Sequence, residues 1–156
     1  MTSKQDFTDE EWTRIRRAPL VAGVAISLAD PGGPIEVAKE TMATLRSATL
    51  PPSQEELLAS VALDVQALAQ QKQNPLGEFK PRGGQQVLEE LRDVNELVTA
   101  KATPEEIQAF RRWLVAAAQA AADAAKEGGF LGFGGEQVSA GEQRMLEQVR
   151  TALAVA

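Results

Sequence analysis

The chain has 156 residues, of which 44% are hydrophobic and 24% charged, and its formal net charge is −6. This length and composition predict one domain with a real core, and the acidic balance argues against DNA or RNA binding, which needs a basic surface. Histidine, cysteine and tyrosine are absent, which excludes disulfides, zinc–thiolate centres, a Ser-His-Asp triad and the Glu-x-x-His signature of di-iron bundles.

The beginning of the sequence, residues 1–11, is polar and acidic. It lacks the charged-then-apolar pattern of a signal peptide, and no later apolar run approaches the roughly 20 residues that cross a bilayer. We therefore expect a cytoplasmic protein without a transmembrane segment.

The first helix is predicted to begin at a capping box formed by Thr8 and Glu11, in which each residue bonds to the backbone N–H of the other. Pro19 lies inside this helical stretch, so we expect a kink or break near residues 17–18. A bend at Gly32-Gly33 then leads to a second helix. Its predicted core-facing stripe consists of Ile35, Ala38, Met42 and Leu45.

The next pair of helices is predicted to start at a second capping box, Ser53-Gln54-Glu55-Glu56. Its apolar stripe is Leu57, Val61, Val65 and Leu68. Residues 71–82 contain Asn74-Pro75, Gly77 and Pro81, a composition typical of an extended surface loop. After Gly83-Gly84 the stripe of the following helix is Val87, Leu91, Val94 and Val98.

The last pair of helices starts at Thr103-Pro104-Glu105-Glu106, with proline at the first helical position. Its core stripe is Ile107, Phe110, Leu114, Ala117 and Ala121. Residues 116–125 are rich in alanine, which favours close packing against a neighbouring helix but could also line a narrow apolar cavity. The final helix has Ser139 and Glu142 as its capping box and Met145, Val149 and Ala152 on one face.

These elements repeat along the chain. The glycine pairs begin at residues 32, 83 and 134, so 51 residues separate successive pairs. We predict an all-α fold of about six to seven helices, built as three helix–loop–helix units of about 50 residues that pack into one globular bundle. The units span 8–50, 53–100 and 103–154 of a single domain, 1–156.

The glycine-rich segment 127–138 is the first candidate site, because it carries Phe130, Leu131 and Phe133. The favoured interpretation is structural: glycine ends a helix and a neighbouring hydrophobic side chain folds back over the last turn. The alternative is an exposed apolar loop that contacts a protein partner.

Two acidic loop-to-helix junctions are the second candidate site. They could supply oxygen ligands to a hard divalent cation, although neither has the ligand spacing of an EF-hand. Helix capping by Ser139 and Glu142 is the simpler explanation of one of them. The candidate ligands are Asp30, Glu36, Glu40, Glu136 and Glu142.

Two arginine pairs, Arg16-Arg17 and Arg111-Arg112, are the third candidate. They could bind an anionic ligand through bidentate hydrogen bonds. The favoured interpretation is salt bridges to glutamates of neighbouring helices, with the aliphatic stems covering apolar surface.

Parts of the chain also resemble two protein families. The segment Glu127-Gly-Gly-Phe-Leu-Gly-Phe-Gly-Gly-Glu-Gln-Val-Ser139, followed by Glu142, resembles the C-terminal signature of a family of small uncharacterised bacterial proteins, which implies a bacterial source and no activity. The junctions running from Ala29-Asp30 to Glu40 and from Gly135-Glu136 to Glu142 are similar to those of the TerB-like tellurite-resistance and stress proteins. That resemblance implies an all-helical fold and, secondarily, a metal site.

The leading functional hypothesis is a non-enzymatic interaction or scaffold protein that binds a protein partner or itself as a homodimer, without a cofactor. The alternative is a helical bundle of stress-response type that binds a small ligand or a divalent cation. A third hypothesis is a hydrolase that works with carboxylates alone, through Asp30, Glu36 or Glu136. We predict that the chain is not an enzyme, because no pattern places two such carboxylates together.

Overall fold

The computed structural model describes residues 2–29, 34–127 and 139–155, and in these ranges the side chains of all residues except 34–36 and 125–127. Within them the chain is all-helical and contains no strand, as predicted. A short 3-10 turn, Lys4–Asp6, precedes six α-helices: α1 (Asp9–Ala29), α2 (Pro34–Thr49), α3 (Glu56–Gln70), α4 (Gly84–Lys101), α5 (Pro104–Glu127) and α6 (Ala140–Ala152). None of these helices, over the ranges given, combines the length and apolarity needed to cross a bilayer.

Three of the four predicted capping boxes are confirmed. At the start of α1 the backbone N–H of Thr8 donates to Glu11 Oε1 at 2.9 Å, and the N–H of Glu11 donates to Thr8 Oγ1 at 3.1 Å. The same reciprocal pair opens α5 between Thr103 and Glu106 and opens α6 between Ser139 and Glu142. These helix starts are therefore fixed by residues three positions apart.

The predicted capping box at Ser53 is wrong. Helix α3 begins at Glu56 with Glu55 as its N-cap, and the buried Ser53 hydroxyl has no hydrogen-bond partner within the described residues. The N–H of Leu57, in the first turn of α3, donates instead to Glu106 Oε2 at 3.3 Å. A carboxylate from α5 therefore caps α3, and the local serine is not needed.

Of the kink or break predicted near residues 17–18, the break is wrong, because α1 runs without interruption through Pro19. Proline in a helix removes one backbone hydrogen bond and costs about 3 kcal/mol. Around it, α1 buries Ile15, Ala18, Val21 and Ala22 completely. Burial of this length of helix outweighs the local cost, so packing keeps the chain helical across the proline.

Helix α1 is the centre of the bundle and packs against each of the other five helices. The buried side chains of all six helices join in one hydrophobic core. The predicted stripes of α4 and α6 are buried as expected, and those of α3 and α5 largely so. Residues 71–83 form the predicted loop between α3 and α4, although Leu76 and Phe79 pack partly against the core.

The stripe predicted for α2 is not buried as expected in its described residues. Ala38 is exposed, Met42 is 60% exposed and Leu45 is only partly buried, whereas Glu40, Thr44 and Ala48 are buried. The buried polar groups are satisfied without water. The Thr44 hydroxyl donates to the Glu40 carbonyl at 2.8 Å, and the Glu40 carboxylate accepts from the Ser27 hydroxyl of α1. Helix α2 therefore turns Glu40, Thr44 and Ala48 inward and leaves Ala38 and Met42 exposed, while Leu45 packs partly against the core. The side chain of Ile35 lies outside the described residues.

Candidate functional site

The predicted sites fall mostly outside the described residues. Phe130, Leu131 and Phe133, together with Asp30 and Glu136, lie in the undescribed ranges. The side chain of Glu36 is likewise outside the described part of α2. Only Glu40 and Glu142 of the predicted cation ligands can be placed.

Glu40 and Glu142 both flank the last turn of α1, and both are deeply buried. Glu40 is 2% exposed and bonds to Ser27, while Glu142 is 5% exposed. Glu142 Oε1 accepts from the N–H of Ser139 at 3.2 Å, and Glu142 Oε2 has no hydrogen-bond partner in the described ranges. The start of α6 contacts α1 closely, since a Cβ at Gly141 would lie 3.2 Å from the Ala29 carbonyl oxygen.

These two carboxylates do not by themselves make a metal centre. Among the described residues no group of three or more acidic, histidine or cysteine side chains is arranged to hold a metal ion. The capping role of Glu142 is present, as the simpler interpretation required. Its second carboxylate oxygen, however, is buried without a partner in the described part of the chain, and such a group costs free energy unless something pairs with it.

Arg17, from the first predicted arginine pair, forms the salt bridge that was favoured over anion binding. Its Nη2 lies 2.9 Å from Glu90 Oε2, and the guanidinium lies over the Phe79 ring, 5.0 Å from its centroid. Arg14 bonds to the same carboxylate, with its Nε donating to Glu90 Oε1 at 3.0 Å. Burial raises the pKa of Glu90, but the hydrogen bonds from the two arginines outweigh it and the pKa lies below its ordinary value.

This cluster borders an open depression of about 550 Å³ between α1, α4 and the loop that joins α3 to α4. Arginines and carboxylates alternate along its wall, and Arg14 also lies 3.2 Å from Asp93. Arg14 and Arg17 are engaged by carboxylates, whereas the buried Nε atoms of Arg16 and Arg17 have no hydrogen-bond partner among the described residues. In the second pair, Arg111 donates to Asn95 Oδ1 at 2.8 Å, which is a hydrogen bond between helices rather than the expected salt bridge.

The alanine-rich face of α5 packs against neighbouring helices. Ala117, Ala118, Ala121 and Ala122 are fully buried, and α5 contacts α1 and α2 extensively. A cavity of about 60 Å³ does lie nearby, between α1 and α2 at Gly23 and Ser27. Its lining comes from α1, α2 and the loop after α3 and includes none of these four alanines.

The buried carboxylate of Glu106 is a feature that the sequence did not reveal beyond its capping box. It accepts from the Thr2 hydroxyl at 2.8 Å, the Thr2 N–H at 3.2 Å and the Leu57 N–H at 3.3 Å, in addition to Thr103. Burial raises the pKa of Glu106, but these hydrogen bonds together outweigh burial, and the net pKa is below its ordinary value. The carboxylate stays ionised and joins three parts of the chain, which is a structural role.

The remaining candidate is an open groove of about 450 Å³ between α2 and α3, which we call the α2–α3 groove. Its lining residues are Met42, Leu45, Arg46, Thr49, Gln66, Ala69 and Gln70. Two exposed leucines are close to these residues in sequence. Leu50, which is 66% exposed, directly follows Thr49, and Leu63, which is 64% exposed, lies one helical turn before Gln66. The sequence did contain this signal, as the apolar stripe of α2, but amphipathic helices usually turn such a stripe inward.

Comparison of the chain with protein-family models, with curated proteins and with solved structures finds no match.

Proposed function

We propose that this chain is a non-enzymatic interaction or scaffold protein that binds another protein through the α2–α3 groove. The observation that carries the proposal is that Met42, from the stripe of α2 that was expected to be buried, is exposed along the groove. Met42 and Leu63, on the two helices that border the groove, are 60% and 64% exposed. Large apolar side chains grouped on one surface and bordered by polar ones are typical of a protein contact site.

The chemistry of the buried acids supports a non-enzymatic role. Glu90 is held by two arginines and Glu106 by backbone and hydroxyl donors, and the pKa of each lies below its ordinary value. Acids of this kind stay ionised near neutral pH, whereas a general acid needs a raised pKa. The sequence offers no histidine, cysteine or tyrosine as a substitute.

Affinity capture and oligomeric state together test this proposal. The wild type is expected to retain a partner from bacterial lysate, or to associate with itself, and a Met42→Glu/Leu63→Glu variant to lose that binding while remaining folded. Gln148→Glu is the matched control, because Gln148 is exposed on α6 away from the groove. A strictly monomeric wild type whose captured proteins are the same as those of the double variant would count against the proposal.

A second candidate function, binding of a divalent cation, is supported by Glu142 Oε2, which is buried without a hydrogen-bond partner among the described residues, at the end of α1 where Glu40 is also buried. A cation that bound there would stabilise the folded chain. Thermal unfolding with Ca²⁺, Mg²⁺ and Mn²⁺ tests this function, with Glu142→Gln as the variant in which any shift should vanish. Unchanged melting temperatures for all three ions would exclude it.

We further propose that the three successive helix pairs are copies of one unit, and that the chain is a bacterial cytoplasmic protein related to the TerB-like group. The shared capping boxes at Thr8 and Thr103 and the regular spacing of the glycine pairs support the repeat. The C-terminal signature supports the bacterial source. Superposition of α1–α2 on α5–α6 in an experimental structure, with matching crossing angles, is the expected result of a true repeat.

A further inference from the structure

Building on the proposed function, we infer that the partner segment for the α2–α3 groove is an amphipathic α-helix that places an acidic side chain opposite Arg46. Two features of the groove lead to this partner. One is the shape of the groove, which is determined by the packing of α2 against α3. The other is its charge.

The groove has the dimensions of a helix-binding site. On α2 its lining residues Met42, Leu45 and Thr49 stand at i, i+3 and i+7, and on α3 the lining residues are Gln66, Ala69 and Gln70. The α2 series spans about two helical turns, or roughly 10 Å. A helix laid along such a groove buries apolar anchors at i, i+3 or i+4, and i+7. A peptide that binds by strand addition would need a free strand edge, and the described residues form no strand.

The charge of the groove selects an acidic partner. Arg46 is the charged residue among the lining side chains, which are otherwise apolar or neutral. It is exposed, and its guanidinium forms no ion pair with the described residues. A carboxylate brought against it would form a charge-assisted hydrogen bond. The net charge of −6 carried elsewhere opposes an acidic partner only weakly, because charges beyond about 10 Å are screened at ordinary salt.

The same observations disfavour a second copy of this chain as the occupant. In a two-fold dimer the same surface patch is present on both sides of the interface. The lining of the groove contains no carboxylate, so a copy would bring another Arg46 and no acid to meet it. A different chain with its own acidic residue satisfies the groove better.

A displayed library of amphipathic helical peptides, each about 18 residues long so that it forms several turns, provides the test. Selection on the full folded chain is expected to enrich apolar residues at i, i+3 or i+4, and i+7, with an acidic residue at one fixed flanking position. The best peptide should lose at least tenfold in affinity for Arg46→Glu and for Met42→Glu. Arg144→Glu, the matched charge reversal at an exposed position on α6, should bind it like the wild type.

Repeating the selection on Arg46→Glu should exchange the acidic preference for a basic one. The inference is overturned if enriched peptides show no charge preference, if a central proline leaves their binding intact, or if no peptide depends on Met42. It is also overturned if the chain dimerises through the groove, as shown by loss of the dimer in Met42→Glu. Dimerisation through the groove would still support the proposed interaction function. If the groove bound no peptide in this selection and no protein in the lysate capture, the inference and the proposed function would both be overturned.

Discussion

Glu106 shows how much of this fold depends on single side chains. Its two carboxylate oxygens receive donors from the start of the chain at Thr2, from the first turn of α3 at Leu57 and from its own helix start at Thr103. A hydrogen bond to a charged acceptor contributes more than a neutral one, and a buried donor left without an acceptor is costly. The geometry of three chain segments therefore rests on one ionised group.

Glu106→Gln should lower the free energy of unfolding by about 2 kcal/mol, because the amide nitrogen would face donors that now meet a carboxylate oxygen. Chemical denaturation measured at neutral pH provides the value. Glu105→Gln is the control, since Glu105 is exposed on the same helical turn. Equal stabilities of the two variants would show that the groups that donate to Glu106 in the wild type bond to other acceptors in Glu106→Gln.

Stability should also fall in acid through Glu90 and Glu106. The folded-state pKa of each lies below 4.5. The stabilising contribution of each is therefore complete above that pH and is lost as the pH falls through the folded pKa. A Glu90→Gln/Glu106→Gln variant should be less stable than the wild type at neutral pH and lose less of its stability below pH 4.5. Urea unfolding at a series of pH values measures how the free energy of unfolding of each protein depends on pH. Parallel pH dependences of the variant and the wild type would contradict this assignment.

At the scale of single residues, the sequence predicts the hydrogen bonds whose two partners are close together in the chain. The capping boxes at Thr8, Thr103 and Ser139 need partners only three residues away, and all three form. Ser53 has the same local pattern and fails, because Leu57 bonds to a carboxylate that is distant in sequence. The turn of Ser3 and Asp6, which also forms a capping box, was missed because no helix of predictable length follows it.

At the scale of elements, α2 shows why helix position is easier to predict than helix orientation. Apolar periodicity places the helix correctly but assigns its apolar stripe to the core. The close approach of α2 to α1 reverses that choice, because Thr44 lies so near Gly23 that not even a Cβ would fit between them. Thr44 fits there because its hydroxyl bonds within its own helix, a local satisfaction that periodicity does not register.

Gly23→Ala should destabilise the protein by about 2 kcal/mol, although alanine is the better helix former by about 1 kcal/mol. A Cβ at this position would lie 2.2 Å from Thr44 Oγ1 and 2.8 Å from Thr44 Cβ, so rotation of the threonine cannot remove the clash. Thermal and chemical unfolding measure the loss. Thr44→Ala in the same chain should restore part of it by removing the nearer atoms, and a stabilised single variant would mean that α1 and α2 are farther apart than described.

At the scale of the whole molecule, the sequence predicts an all-helical bundle but not which surfaces remain open. The candidate groove exists only because α2 and α3 pack side by side with Met42 and Leu63 left outside. No local pattern on either helix reports the position of the other. The contact between residues 2–7 and the starts of α3 and α5 is equally non-local, and composition suggested only a polar terminus.

Removal of residues 2–7 should therefore lower the free energy of unfolding by much more than removal of an exposed polar terminus would. Phe7 is buried against Trp12, with ring centroids 6.1 Å apart, and Thr2 supplies two donors to Glu106. Burial of the phenylalanine contributes about 2 kcal/mol and each hydrogen bond about 1 kcal/mol, so we expect a loss of about 4 kcal/mol.

Tryptophan fluorescence separates this loss from a general loosening of the bundle. The truncation uncovers Trp12 but leaves Trp113 fully buried on α5, so iodide should quench the first and spare the second. Lys4→Ala is the control, because the Lys4–Asp64 ion pair is exposed on the lysine side and such a pair contributes little. If the truncated chain kept the stability and emission of the wild type, the beginning of the chain would be an attachment to the bundle rather than part of its core.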